Sequence, residues 1–294
     1  MAGFVLSCCS TADLDAAHFA AREIQYICFH YRVGDRDYSD DLGQSMSFPA
    51  FYQAMTAGAE TKTSQVNVQE YLDYFESFLR EGQDVLHVSL SSGLSGSFNS
   101  AENAARVARE RWPERKLYIV DSLGASSGYG LLMDRLADLR DAGMEIEAVR
   151  DWAEQNRLRL HHWFFSTDLS FYVKGGRISR TSAVFGGMLG ICPLLDMDEE
   201  GRLVPRYKIR GKKRVVQEIV KKMEELAENG RKYAGKCYLS HSDCIEDARA
   251  VADLVEQRFP KLRGGVEINY VGTAIGSHTG PGTVALFFWG EERR

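Results

Sequence analysis

The strongest constraint on this chain is the alternation of apolar runs of strand length with amphipathic runs of helix length. Residues 4–7, 85–89 and 117–120 are short apolar runs, each followed by small polar residues, and predict strands. Residues 67–80 carry Tyr71, Leu72, Phe75, Phe78 and Leu79 on one side, the spacing of a helix with a buried face. An alanine-rich stretch at 98–112 continues in helical spacing until Pro113 stops it, and 128–142 and 145–155 predict two further helices. Strand, loop and helix repeated in that order predict an α/β fold built on a parallel sheet with helical crossovers.

The second half has a different texture. Lys174-Gly-Gly-Arg177 predicts a turn and 181–189 a glycine-rich apolar helix. Strands are expected at 192–197 and 202–209, joined through Asp198-Glu-Glu-Gly201, and again at 236–241, 266–271 and 283–289; helices are expected at 211–228 and 245–258. This is an α+β pattern, so two domains are expected, 1–160 and 161–294, and 294 residues suffice to give them real cores.

The net charge of -5 gives no general attraction to nucleic acid or to an anionic membrane. The longest apolar run, at 183–195, is broken by Gly186, Gly187, Gly190 and Pro193, too early for a spanning helix, so no stable membrane insertion is expected. The first residues lack a basic segment and a cleavable apolar core, and the expected location is cytoplasmic. Six scattered cysteines without a C-x-x-C pair predict reduced, mostly buried thiols. Cys237, His241 and Cys244 have metal-ligand chemistry, but a fourth ligand at customary spacing is missing and Cys237 falls within a predicted strand; no metal is expected.

Ser89-Leu-Ser-Ser-Gly93-Leu-Ser95-Gly96-Ser97 lies between a predicted strand and a predicted helix. Such a loop turns N–H groups and hydroxyls toward the helix start, where negative charge is favoured. Ser97 alone would serve as an N-cap, but five serines and two glycines in nine residues exceed what a cap needs. The loop departs from G-x-S-x-G, with Ser97 in the last glycine position, and contains no G-x-G-x-x-G. Gly230 to Lys236 has phosphate-loop spacing but runs from a helix into a strand, the wrong order for cradling phosphate.

Thr63-Ser64-Gln65 precedes the helix at 67–80 and suits either a hydroxyl site or simple capping. With Cys9-Ser10-Thr11-Ala12-Asp13, the serine loop, and Asp121-Ser122 followed by Ser126 and Ser127, this makes four polar segments expected to meet at one edge of a parallel sheet. His278 lies in 276–283, a stretch with three glycines and a proline, read as a loop that fixes an imidazole for binding. The run 202–214 carries Arg202, Arg206, Lys208, Arg210, Lys212, Lys213 and Arg214 without an acid; docking of an acidic partner, phosphate neutralisation and a solvated face all remain open.

Taken in order, these segments resemble the DegV family, bacterial fatty-acid-binding proteins that serve as the carrier subunit of fatty acid kinase. The resemblance rests on Ser10-Thr-Ala-Asp-Leu14, Thr63-Ser-Gln65, Ser91-Ser-Gly-Leu-Ser-Gly-Ser97, Asp121-Ser122, Lys174-Gly-Gly-Arg-Ile-Ser179, the strand after Cys192-Pro193, and 276–283. It implies two α/β domains gripping a lipid, with Thr63, Ser95, Gly96 and His278 around the carboxylate and the tail along Phe185, Met188, Leu189 and Ile191. It also implies that Arg210 serves engagement with a separate ATP-dependent kinase subunit, which yields an acyl phosphate. The chain would then be a carrier without a catalytic site or cofactor of its own. It departs from the family pattern at Cys9, where an aspartate is usual, and at Val66, where a proline is common. Two other classes are compatible with the residues alone. One is a serine acyl hydrolase with Ser95 as nucleophile, His278 as base and Asp121 or Asp13 as orienter. The other is a nucleotide or phosphosugar binder using the serine loop and the basic run.

Overall fold

The computed structural model describes residues 3–179 and 190–293. The fold is α/β, as the alternation predicts. Strands β1 (Val5–Cys9), β2 (Ile24–Ile27), β6 (Val85–Ser89) and β7 (Leu117–Asp121) form a parallel sheet in the order β2-β1-β6-β7. Every residue of β6 is buried, the pattern of a parallel strand covered on both faces. Helix α3 (Val68–Leu79) starts at a capping box between Asn67 and Glu70, so Thr63-Ser64-Gln65 is not its cap. It packs on α4 (Ser97–Arg111), whose buried Ala101, Ala104, Ala105 and Ala108 form a flat stripe.

Six strands make the second sheet, in the order β10-β9-β8-β13-β11-β12: β8 (Leu160–Ser166), β9 (Ile191–Met197), β10 (Leu203–Arg210), β11 (Cys237–His241), β12 (Val266–Tyr270) and β13 (Thr283–Trp289). Neighbours are antiparallel except β11 and β12. Side chains alternate between its faces with period two. Trp163, Phe165, Leu286 and Phe288 pack with α8 (Lys212–Leu226) and α9 (Ile245–Arg258), whereas Phe164, Ala285 and Phe287 join the cluster shared with the first sheet.

Helix α5 (Ser126–Asp141) lies between the sheets, touching β1 on one side and β11 and β13 on the other. It is buried almost all round, as such a position demands. The expected boundary at 160 falls at the first residue of β8, and the apolar cluster around α5 takes Leu6 and Val88 from one side of it and Phe164 and Tyr238 from the other.

A third sheet, absent from the sequence-based expectation, pairs β3 (His30–Val33) with β4 (Arg36–Ser39) and β5 (Thr61–Ser64), all antiparallel. Helix α2 (Phe48–Thr56), capped by Ser47, buries Phe51, Tyr52 and Met55 against Tyr31 of this sheet. The first half of the stretch expected to be a loop, including His278, is instead helical: α10 (Thr273–Thr279) ends at Gly280, whose φ is +66°. Its start is held by a distant residue, Asp40, whose Oδ1 accepts from the Thr273 backbone N–H at 3.2 Å and its hydroxyl at 2.5 Å. The helix expected at 181–189 lies outside the described residues. Among the described residues, no helix is long and apolar enough to cross a membrane.

Candidate functional site

Strands β1, β6 and β7 run parallel, so their carboxyl ends share one edge, and the loops beyond them supply Thr11, Ser95 and Ser126 to one wall of a cavity of about 690 Å³. The second sheet adds Phe164, Met197, Ser240 and Phe287. The fourth polar segment reaches the cavity differently: Thr63 belongs to β5 of the third sheet, beside α10 and His278, rather than to the edge of the parallel sheet. Exposed Glu60, Lys62, Gln65 and Lys174 mark the rim, and buried Thr11, Phe164, Ser240 and Phe287 lie inside.

At the polar end, Thr63 Oγ1 lies 2.7 Å from His278 Nε2, and Arg177 Nη1 lies 3.2 Å from His278 Nδ1. A guanidinium only donates, so Nδ1 accepts. Burial, reinforced by the Arg177 charge, pushes the His278 pKa down to about 4 and leaves the ring neutral at pH 7. Its single proton therefore sits on Nε2 and is donated to Thr63 Oγ1, which frees the Thr63 hydroxyl proton to point elsewhere. Arg177 is fixed by donating to the carbonyls of Gly175 at 2.6 Å and Leu94 at 3.2 Å. Glycine at 175 is required for this packing, because a Cβ there would lie 2.4 Å from His278 Nδ1.

Ser95 accepts from the Ser97 N–H at 3.2 Å and donates to Gln65 Oε1 at 3.4 Å. The N-cap of α4 is Gly96, without a side-chain cap, while the Ser97 hydroxyl is engaged with Tyr71 Oη at 2.7 Å. Ser97 is therefore not a cap, and the helix start keeps its attraction for an anion. Gly96 lies against Gln65, where a Cβ would come within 2.8 Å of Oε1. The loop is also braced from the second sheet: Ser91 Oγ donates to the Gly201 carbonyl at 2.8 Å, at the β9–β10 turn.

Thr63, Ser95 and His278 thus meet at one cavity, whereas Gly96 packs against Gln65 and is not among the residues that line it. Phe185, Met188 and Leu189 lie outside the described residues. Ile191 opens β9 and pairs with exposed Arg210, at the end of the hairpin remote from Met197 and Leu203, which do line the cavity. Arg210 is seven residues along β10 from Leu203, roughly 24 Å at ~3.4 Å per residue. Part of the basic run is neutralised by acids from neighbouring elements, Arg206 by Asp196 at 2.7 Å and Lys212 by Asp247 at 2.6 Å.

The hydrolase arrangement is not formed. Both His278 nitrogens are engaged by Thr63 and Arg177 rather than by Ser95 and an acid. Asp121 accepts from the Ser92 and Leu123 N–H groups, and Asp13 from Ser126. Cys237 and His241 occupy opposite ends of β11, and the Cys244 thiol donates to the Thr283 carbonyl at 3.2 Å, so these residue types do not converge. Arg177 was missed from the sequence as a site residue, because Lys174-Gly-Gly-Arg177 carries the signal of a turn.

A family model described as "Uncharacterised protein, DegV family" matches residues 9–291. The chain belongs to the DegV family. A DegV domain-containing protein of Clostridium perfringens is 32% identical over 293 residues, spanning 100% of this chain and 99% of that one. Among solved structures, a DegV family protein from Thermus thermophilus, described by its fatty acid binding, superposes with a TM-score of 0.87 at 28% identity, covering 98% of this chain and 99% of that one. The Streptococcus pneumoniae Fatty Acid Kinase (Fak) B3 protein, loaded with linoleic acid, shares the DegV fold with a TM-score of 0.82 at 22% identity, covering 99% of this chain and 100% of that one.

Proposed function

We propose that this protein holds one long-chain fatty acid in the cavity and presents its carboxylate to a separate ATP-dependent fatty acid kinase subunit, which forms the acyl phosphate. The observation that carries this reading is a single cavity that is apolar along Phe164, Met197 and Phe287 and ends in Thr63, Ser95, His278 and Arg177. The carboxylate would accept from the freed Thr63 hydroxyl and from Ser95, whose proton would turn to it from Gln65 Oε1, near the start of α4 at Gly96 and the Arg177 charge. The tail would run inward and on past Phe185, Met188 and Leu189, while Ile191, paired with Arg210 at the far end of the hairpin, would lie beyond it. In this reading 1–160 supplies the carboxylate-binding loops of Thr63 and Ser95, and 161–294 supplies His278, Arg177 and most of the tunnel, in a cytoplasmic carrier without catalysis or cofactor of its own.

Burying about 12 methylenes at ~0.8 kcal/mol each gives roughly 10 kcal/mol before the cost of association. The tail therefore sets affinity, and the polar end sets orientation. The relatives described with fatty acids support the ligand class, and the Fatty Acid Kinase B3 neighbour supports the partner. Arg210 is proposed as a kinase contact because it is exposed and remote from the lipid. Native mass spectrometry of protein purified from bacteria should show a co-purified fatty acid, and palmitate or oleate should raise Tm. A protein that is consistently empty and is stabilised instead by nucleotide or phosphosugar would sink the proposal.

A further inference from the structure

The loop that carries Ser95 is organised by a residue that does not line the cavity. Ser91 is fully buried, and its carbonyl accepts from the N–H groups of Leu94 at 3.1 Å and Ser95 at 3.2 Å. Its hydroxyl accepts from the Gly93 N–H at 3.1 Å and donates to the Gly201 carbonyl at 2.8 Å, in the turn between β9 and β10. One serine therefore shapes the loop and ties it to the second sheet. The approach is too close for side chains: a Cβ on Gly93 would lie 2.6 Å from the Glu200 carbonyl oxygen, and one on Gly201, whose φ is +71°, would run into Ser91 Oγ.

The turn is held in its own place by Arg293, a buried residue that follows β13 and is also absent from the cavity wall. Its Nη1 donates to the carbonyls of Asp198 at 3.0 Å and Met197 at 3.3 Å, and its Nη2 to that of Leu123 at 2.8 Å. The Asp198 carbonyl accepts the Gly201 N–H as well, at 3.1 Å. Leu123 belongs to the loop after β7, where Asp121 Oδ1 accepts from the N–H groups of Ser92 at 3.1 Å and Leu123 at 3.0 Å, and the Gly124 carbonyl accepts from the Ser91 N–H at 3.0 Å. Guanidinium, turn and both loops thus close a ring of hydrogen bonds. A guanidinium is costly to bury, and the bonds that offset this cost all go to main-chain carbonyls around the serine loop.

We infer that Ser91 and Arg293 are positioning residues for the carboxylate end of the site: they clamp the β9–β10 turn onto the serine loop and so set where the Ser95 hydroxyl and the start of α4 stand toward the ligand. This rests on the fatty-acid reading above. Hydroxyls and N–H groups stabilise a charge best when they are held in place beforehand, so loosening the clamp should weaken recognition of the head more than of the tail. Met197 and Leu203 flank the turn and line the cavity, so a clamp that only supported the tunnel would act on the tail instead. An uncharged analogue with the same tail separates the two.

The test is isothermal titration of the full chain, stripped of lipid, with oleate and with oleyl alcohol. Wild type should prefer oleate. Ser91→Ala should weaken oleate about tenfold and oleyl alcohol less than about twofold, the loss of one hydrogen-bonded anchor felt at the charged head. Arg293→Met, at the other end of the ring, should show the same split, which guards against misfolding of either variant. The inference is overturned if the folded variants weaken both ligands alike, as expected for support of the tunnel, or leave both unchanged. Wild-type protein that binds neither ligand, or binds the two equally, would strike the fatty-acid reading itself.

Discussion

Thr63 Oγ1 and His278 Nε2 lie 2.7 Å apart although 215 positions separate them in sequence. Because Arg177 occupies the other ring nitrogen, the imidazole can only donate to Thr63, and the threonine hydroxyl is left as a donor for the ligand. Three side chains, from β5, α10 and the turn after Lys174, thus determine the position of one proton.

Thr63→Val should lower fatty-acid affinity about tenfold, since it removes a hydroxyl that meets a partly desolvated carboxylate, and Thr63→Ser should restore most of it. Displacement of a fluorescent fatty acid reads both. Unchanged affinity in the valine variant would take Thr63 out of the carboxylate site.

Gly175→Ala tests the packing behind that pair. The added Cβ would sit 2.4 Å from His278 Nδ1, so either the ring or the end of α7 (Ser170–Lys174) must move. The expected result is weaker fatty-acid binding with the fold retained, because Gly175 borders the cavity and its φ of -75° is open to alanine. Wild-type affinity in this variant would show that His278 need not be held where it is.

The parallel sheet is legible because β1, β6 and β7 are largely buried and read as mostly apolar runs followed by polar loops. The third sheet is not, because β4 is mostly exposed and β5, Thr61–Ser64, contains no apolar residue; their pairing depends on Tyr31 packing against α2. Helix α10 escapes notice for a related reason: its start is tied to Asp40, 233 positions away, so no local capping signal exists. Within the site, Thr63, Ser95 and His278 stand out as polar residues among glycines and serines. Arg177 does not, since its guanidinium acquires meaning only through His278.

Two histidines should shape stability against pH in opposite senses. His278 is lowered from 6.5 to about 4 by burial and by Arg177, so between those values the unfolded chain binds a proton that the folded one does not. Its contribution is present above pH 6.5 and is lost as pH falls toward 4. For His18, burial opposes the charge, but Asp134 at 3.4 Å and Glu267 at 3.3 Å overcome it and raise the pKa to about 9. That contribution is complete below pH 6.5 and disappears as pH rises through 9. Urea unfolding from pH 4 to 9.5 should therefore show His278→Gln flattening the acid side and His18→Gln the alkaline side, by up to roughly 3 kcal/mol each at ~1.4 kcal/mol per pKa unit. Curves parallel to wild type would refute both assignments.

Arg210 offers the sharpest separation of carrying from presenting. It is exposed and lies seven residues along β10 from Leu203, the residue of that strand that borders the cavity, and its backbone pairs with Ile191 rather than with any cavity-lining residue. Arg210→Ala should leave fatty-acid affinity within about twofold of wild type, as expected for a substitution on an exposed face. In a reconstituted reaction with a fatty acid kinase subunit and ATP, the same variant should form acyl phosphate at least about tenfold more slowly, because a charged contact at a protein interface governs productive docking. Lys212→Ala is the control: its ammonium is held by Asp247 at 2.6 Å, so it offers the partner less free charge and should have a smaller effect. Loss of fatty-acid binding in Arg210→Ala would mean that the far end of β10 supports the tunnel. Equal kinase defects in the two variants would mean that the basic run acts through its summed charge rather than through Arg210.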